Sequence, residues 1–315
     1  MVRQTDASAQ TAGRIRIRPK GSSLLNQNPW WAQTIIYIIL LFLGLITFIP
    51  ILNVLALSFS EASQIRLHPM MLFPREFTLS AYKYIFGTPV LTNSFLITVF
   101  VTVAGTFFNL LFTAAAAYGL SKTKLPGYTF FTWVIIIPML IGAGLIPYYI
   151  LMKSLGLVDT LWVFIIGGLV SPFNFVLMRN FFWSIPEALE ESASIDGASE
   201  LTILMKIILP LSKPVLATVG LFYAVGHWND YFTGLIFIND NALWPLQVVL
   251  RSIIIDQNMM NMGAIPIVTD PSKMVITPEN IKAAAIIFAI VPIMVTYPFL
   301  QKYFVKGIMI GSVKG

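Results

Sequence analysis

Residues 190–214 read EESASIDGASELTILMKIILPLSKP. Four acidic residues, a Gly and a closing Pro lie here between two long apolar runs, in a chain that has little polarity elsewhere. Of the 315 residues, 57% are hydrophobic and 11% charged, where an average soluble domain spends about a quarter of its residues on charge. Several apolar runs exceed the ~20 residues needed to cross a hydrocarbon core. The chain therefore reads as an all-α integral membrane protein.

Working outward from the quoted stretch, six transmembrane helices are expected, at about 33–58, 91–120, 128–152, 161–179, 214–238 and 281–303. The polar arm 1–30 carries Arg3, Arg14, Arg16, Arg18 and Lys20 and lacks the apolar core and cleavage site of a secretory signal. Beside a first span, such charge is a topology signal. With the arm inside, the inner face also receives the SKTKLPG turn, the region 179–213 and the tail 304–315, so both termini are expected in the cytoplasm. The arm is expected to be disordered, and no aromatic-interleaved basic fold suggests nucleic acid.

The third expected span, IIIPMLIGAGLIPYYI, packs Pro138, Gly142, Gly144 and Pro147 into ten residues. Such breakers fit either close helix packing or the lining of a pathway. The outer segment 239–280 begins with LWPLQVVLRSIII, expected as a helix near the interface. It continues as DQNMMNMGAIPIVTDPSKM, a long loop of the kind that often binds.

Ser184 and Glu187 stand in capping-box spacing, with Pro186 suited to a first turn. The helix they open should end at Gly197, which tolerates the left-handed conformation. Ser199 can cap a second helix bearing Leu201, Leu204, Met205 and Ile208 on one stripe, with Pro210 and Pro214 ending it. The expected product is an elbow of two short helices over 184–213. The small residues Ala188, Ser192 and Ala193 near Glu191 would let it enter a partner's cleft; packing on its own core is the alternative.

Glu191-Ser192-Ala193, three residues, Gly197, nine residues and Ile207-x-Leu209-Pro210 resemble the EAA motif of ABC-importer membrane subunits, with Ser192 in place of the usual second Ala. IDGAS around Asp196, NFVLMRNFFWSIP, WND at 228–230 and the tail Gly311, Ser312, Val313, Lys314, Gly315 are similar to MalG-like permeases of carbohydrate importers. GLIPYYILMKSLGLVDT and LWPLQVVL look most like the branch associated with oligosaccharides from complex polysaccharides. The resemblance covers the six-span region 31–303 and the tail, and leaves out the arm.

The resemblance implies a type I importer permease in the bacterial cytoplasmic (inner) membrane. Its partners would be a second, non-identical permease, a dimer of ATPase subunits and an extracellular or periplasmic solute-binding protein, with membrane lipid around it. The elbow would be the coupling helix, with Glu191 as anchor, Gly197 as the bend and Leu209-Pro210 as the link to the fifth span. The tail would reach the ATPase subunits, and residues 257–274 the solute-binding protein. The cargo would be an oligosaccharide, with uronate-rich fragments of alginate or pectin the guess from the branch.

The residues themselves supply no ATPase: Gly-Lys, which closes a phosphate-binding loop, does not occur. ATP and Mg would be bound by the partners, with no cofactor in this chain. Two His, no Cys and no H-E-x-x-H leave little for an enzyme or a metal site. An ion-gradient-driven secondary transporter is the nearer alternative, because Tyr223, His227, Asp230 and Thr233 fall at helical spacings in the fifth span, beside Asn229. Polar groups at membrane depth border a pathway or bind neighbouring helices, and Tyr223, His227, Asn229 and Asp230 are the candidates. Tyr148, Tyr149 and Tyr231 are read as packing residues.

Overall fold

The computed structural model describes residues 29–255 and 276–311. The arm up to residue 28, the outer loop 256–275 and the final 312–315 lie outside the described residues. The chain divides into two units, Met1–Ile51 and Leu52–Gly315. The described part of the first belongs to α1 (Trp30–Ser58), 29 residues long, whose most apolar 18-residue window has a mean hydropathy of 2.9.

In the second unit the chain forms α2 (Ala62–Leu67), α3 (Ser80–Gly87) and the long α4 (Pro89–Gly119), which starts on a Pro whose missing N–H costs nothing there. Next come α5 (Tyr128–Leu140), α6 (Leu145–Ser154), α7 (Trp162–Ile166) and α8 (Pro172–Trp183). The acidic stretch between the apolar runs folds as α9 (Glu187–Ile195), α10 (Glu200–Ile203), a π-turn at Leu204–Ile208 and α11 (Leu209–Leu211). The chain closes with α12 (Lys213–Asn229), α13 (Phe232–Phe237), α14 (Leu246–Ile255) and α15 (Pro278–Gly311).

Six uninterrupted spans are not what forms. Among the described residues, three helical stretches are long and apolar enough to cross a bilayer singly: Trp30–Ser58, Pro89–Gly119 and Pro278–Thr296. Glu200–Leu211 and Lys213–Asn229, bent by 85°, add a fourth if taken together. The expected third span breaks between α5 and α6, where Gly144 sits at φ +79°, and the fourth breaks between α7 and α8. The carbonyls freed at the second break find donors: Tyr148 Oη donates to Gly167 O at 2.7 Å, and Asn109 Nδ2 to Gly168 O at 2.7 Å and Leu169 O at 2.9 Å. That satisfaction is the condition for irregular backbone at membrane depth.

Helix α4 packs against α12, α8, α7, α14 and α3 and is the centre of the unit. One apolar cluster gathers Phe175, Met178, Ile203, Ile208 and Val219, and a second gathers Leu91, Trp228, Leu246, Val249 and Ala284. The expected interfacial helix, α14, forms but is built into this second cluster. Asn280 Nδ2 donates to Leu57 O and Ser60 O, both at 2.9 Å, tying the start of α15 to the end of α1 and the turn after it.

A separate clasp holds the turn after α6 to the strand-like segment after α13. The Asp159 carboxylate accepts from Asn239 N at 2.5 Å, Asn239 Nδ2 at 2.9 Å and Asp240 N at 3.2 Å, while its own N–H donates to Phe237 O at 2.9 Å. The Asn239 side-chain bond, then its backbone bond, hold the Asp159 pKa below its ordinary value. A lowered folded pKa means the clasp stabilises above the unfolded value of about 3.9 and is lost as pH falls through the folded value. The amides of Asn239 and Asp240 should show strong hydrogen-exchange protection at neutral pH, measured against the intrinsic rate at each pH, and that protection should fall on acidification below that range. In Asp159→Ala it should already be lost at neutral pH.

Candidate functional site

The first candidate is the elbow. Its bend closes as a Schellman turn: Ala198 N donates to Ala193 O and Gly197 N to Ser194 O, each at 3.0 Å, with Gly197 at φ +82°. Ser199 Oγ accepts from Thr202 N and caps α10 as expected. Ser184 does not cap α9; its hydroxyl donates back to Phe181 O at 2.6 Å, and Pro186 occupies the cap position. Pro210 does not end the helix either. It lies inside α11, directly after the π-turn, whose wider ring absorbs the hydrogen bond that a Pro cannot donate.

The π-turn also corrects the expected stripe. Ile203, Leu204 and Ile208 are buried, whereas Leu201 and Met205 are 69% and 54% exposed. Ile203 and Ile208 are five apart, the i to i+5 relation of a π-turn, so they share a face that an α-helical period assigns to different sides. Ala193 likewise turns inward, packed in the cluster with Phe175 and Phe182. Glu191, Ser192, Asp196 and Gly197 are exposed, as are Ile195, Leu201 and Met205. Ile207 and Leu209 are half-buried and Pro210 is exposed.

The elbow is anchored to the end of α4 at two points. Glu190 pairs with Lys122, and Tyr118 Oη donates to Glu200 Oε2 at 2.5 Å. At its other end, α11 runs through Ser212 into α12 at the 85° bend. The elbow is therefore fixed to two long helices together. Sequence reasoning did not find these anchors, because their partners lie far apart in the chain.

The second candidate is the seam between α4 and α12. His227 Nε2 lies 2.6 Å from Asn109 Oδ1, and the Tyr223 and Thr113 hydroxyls are 2.7 Å apart. Ser171 N donates to Tyr223 Oη at 2.9 Å. Gly105, Asn109 and Thr113 recur every four residues and so form one face of α4; a Cβ on Gly105 would stand 2.5 Å from His227 Nε2. Thus Tyr223 and His227 bind a neighbouring helix, one of the two options left open by their spacing. Asn109 and Thr113 were missed, although their i+4 relation to Gly105 was visible.

These residues also border open space. Tyr223, His227, Asp230 and Thr233 line a cavity of about 370 Å³ with Tyr148, Ser171 and Asn174. They share it even though the helix is interrupted at Asp230, whose Oδ1 accepts from Thr233 N at 3.0 Å and caps α13. Asn229, next in sequence, lines a different cavity of about 390 Å³ with Tyr231, Gln247 and Arg251. Tyr148 and Tyr149 pack on Phe237. Among the described residues no group of His, Cys, Asp and Glu is arranged to hold a metal. Gly311 ends α15, and Ser312, Val313, Lys314 and Gly315 lie outside the described residues, as does the expected contact loop 257–274.

Long apolar helices, broken ones with their carbonyls satisfied by neighbours, and an exposed elbow fixed to two of them define a multi-pass helical membrane protein of the transport kind. Residues 22–310 match the family described as binding-protein-dependent transport system inner membrane component, and the chain belongs to it. It is 46% identical to Protein LplC of Bacillus subtilis (strain 168) over 273 residues, covering 86% of this chain and 91% of that protein. It is 41% identical to the polygalacturonan/rhamnogalacturonan transport system permease protein YtcP of the same organism over 288 residues, covering 89% and 97%. A chain of a bacterial ABC transporter involved in the import of the acidic polysaccharide alginate superposes with a TM-score of 0.81 at 33% identity, covering 87% of this chain and 96% of that one. A chain from a bacterial alginate ABC transporter in complex with an alginate pentasaccharide-bound periplasmic protein shares the fold at a TM-score of 0.57 and 12% identity. Family membership makes the protein a transport component rather than an enzyme and removes the gradient-driven carrier from consideration.

The seam yields a direct test. Gly105→Leu drives a side chain into an imidazole already fixed by Asn109, and overpacking of this kind costs about 1–3 kcal/mol. The purified protein should melt at a clearly lower temperature in detergent. Gly226→Ala, on the cavity side of α12 where an added Cβ meets nothing within 4 Å, should melt like the native chain.

Proposed function

We propose that this chain is one of two non-identical membrane subunits of an ATP-binding-cassette importer for oligosaccharides, and that its elbow receives the motion of a separate ATPase dimer. One observation carries the reading. The elbow exposes acidic Glu191 beside Ile195, Leu201 and Met205, a mixed charged and apolar surface suited to a protein partner, while its other side is anchored to α4 and continuous with α12. ATP and Mg belong to that partner.

The remaining assignments extend the same reading. On this reading the chain crosses six times, in part by broken helices, with both termini in the cytoplasm and the loop 257–274 outside, against a solute-binding protein. The basic arm 1–30 and the tail 304–315 lie on the inner side, with Gly311 to Gly315 between the ATPase subunits. Tyr223, His227, Asn229 and Asp230 border the translocation path. The names of relatives support the cargo class: arabinooligosaccharides for one 30% identical over 279 residues, polygalacturonan/rhamnogalacturonan for YtcP and alginate for the transporter at 33% identity. Uronate-rich fragments are the specific cargo we assign.

The test is uptake of a labelled oligosaccharide panel into proteoliposomes holding the complete assembly. Pro cannot adopt the φ of +82° found at residue 197. Gly197→Pro and Glu191→Lys should lower ATP-driven uptake roughly tenfold or more, within the range of ordinary coupling energies, while ATP hydrolysis persists. Uptake that proceeds without ATP, or that ignores both changes, would end the reading.

A further inference from the structure

The cavity that takes Asn229 away from its sequence neighbours is unlike the one around His227. Its floor is a stripe of α15: Ile286, Ala289, Ile290 and Ile293. The rest of the lining is mixed: Asn229 and Tyr231 come from the end of α12 and just after it, and Gln247, Leu250 and Arg251 from α14, so that a few polar groups border a mostly apolar space. Gln247 and Arg251 are four apart and so stand one above the other, while the opposite face of α14 is buried through Leu246, Val249 and Ile253. The Arg251 guanidinium lies 5.3 Å from the centroid of the Tyr231 ring, which orients it as a planar donor over an aromatic face. At about 390 Å³ the space falls within the common range for small-ligand sites.

Charge separates the two cavities. Among the described residues, Arg251 is the only Lys or Arg bordering either one and Asp230 the only carboxylate, and the two line different spaces. An acidic sugar passing the end of α12 is repelled on the Asp230 side and attracted on the Arg251 side. We infer that the cavity between α12, α14 and α15 is a subsite for an acidic sugar residue, with Arg251 binding its carboxylate. The guanidinium fork matches a carboxylate in two parallel hydrogen bonds. Asn229, whose Nδ2 already donates to Val225 O at 2.9 Å, offers its Oδ1 to a sugar hydroxyl, Gln247 offers its amide, and the aliphatic floor accepts the C–H face of the ring. This inference rests on the oligosaccharide reading above and adds the residue that would select uronates.

The experiment uses the complete assembly with its binding protein in proteoliposomes, and compares native protein, Arg251→Gln and Arg251→Lys with trigalacturonate as the acidic probe. A lost charge-assisted pair should raise KM for the probe roughly tenfold in Arg251→Gln with kcat retained. Arg251→Lys should recover part of the loss. A maximal rate of binding-protein-stimulated ATP hydrolysis that falls in step with uptake in both variants would assign Arg251 to docking of the binding protein and overturn the proposal. Equal loss in the Gln and Lys variants would assign Arg251 to shape rather than charge and overturn the proposal, as would no loss in Arg251→Gln. A loss that vanishes in liposomes of neutral lipid would hand the site to an anionic lipid headgroup. Native assembly that imports neither trigalacturonate nor any neutral oligosaccharide would defeat the parent reading, a result distinct from import that ignores Arg251.

Discussion

The contact between α4 and α12 holds the rest together, and it depends on a missing side chain. Because Gly105 leaves room, the His227 ring can lie against α4 and reach Asn109, and one turn along Tyr223 can reach Thr113. Each such bond between membrane helices contributes modestly, about 0.6 kcal/mol on average. Their larger effect is on arrangement, since an apolar helix surrounded by lipid has little else to fix its rotation. Asn109 serves two purposes, because its amide nitrogen also satisfies the carbonyls at the break between α7 and α8. The irregular backbone beside the polar cavity is thus held by the same residue that orients α12.

Much of the elbow was legible. Gly197 and Ser199 are local signals, a residue free to take positive φ and a short hydroxyl three residues from a donor, and both act as expected. The misses share a cause, which is that a local pattern admits more than one partner. Ser184 had an acceptor behind it at Phe181 as well as a helix ahead of it, and the nearer carbonyl was taken. Leu201, Leu204, Met205 and Ile208 satisfy an α-helical period that the chain does not keep through that turn.

The spans follow the same logic. Their apolar lengths and approximate places could be read from composition, and α1, α4 and α15 correspond to expected spans. Whether the Gly and Pro residues at 138–147 and 167–172 would merely kink a helix or divide it depends on which neighbours supply donors. Tyr148 and Asn109 do so at the second of these, at sequence distances of 19 and 59 residues or more. The pairing of Lys122 with Glu190 and of Tyr118 with Glu200 is equally non-local. Polar residues adjacent in sequence, Asn229 and Asp230, were grouped in the reading and are parted by the end of α12, which directs them into separate spaces.

The π-turn at Leu204–Ile208 has a mechanical meaning of its own. One turn there holds an additional residue, and each residue of an α-helix advances the chain by about 100° of rotation. The elbow and the long helix it feeds are therefore keyed to one another out of phase, like two gears meshed one tooth apart. Relaxing that single turn to α-geometry would rotate Leu201 relative to α12. The segment that joins the elbow to α12 is thus also the place where their relative rotation is set.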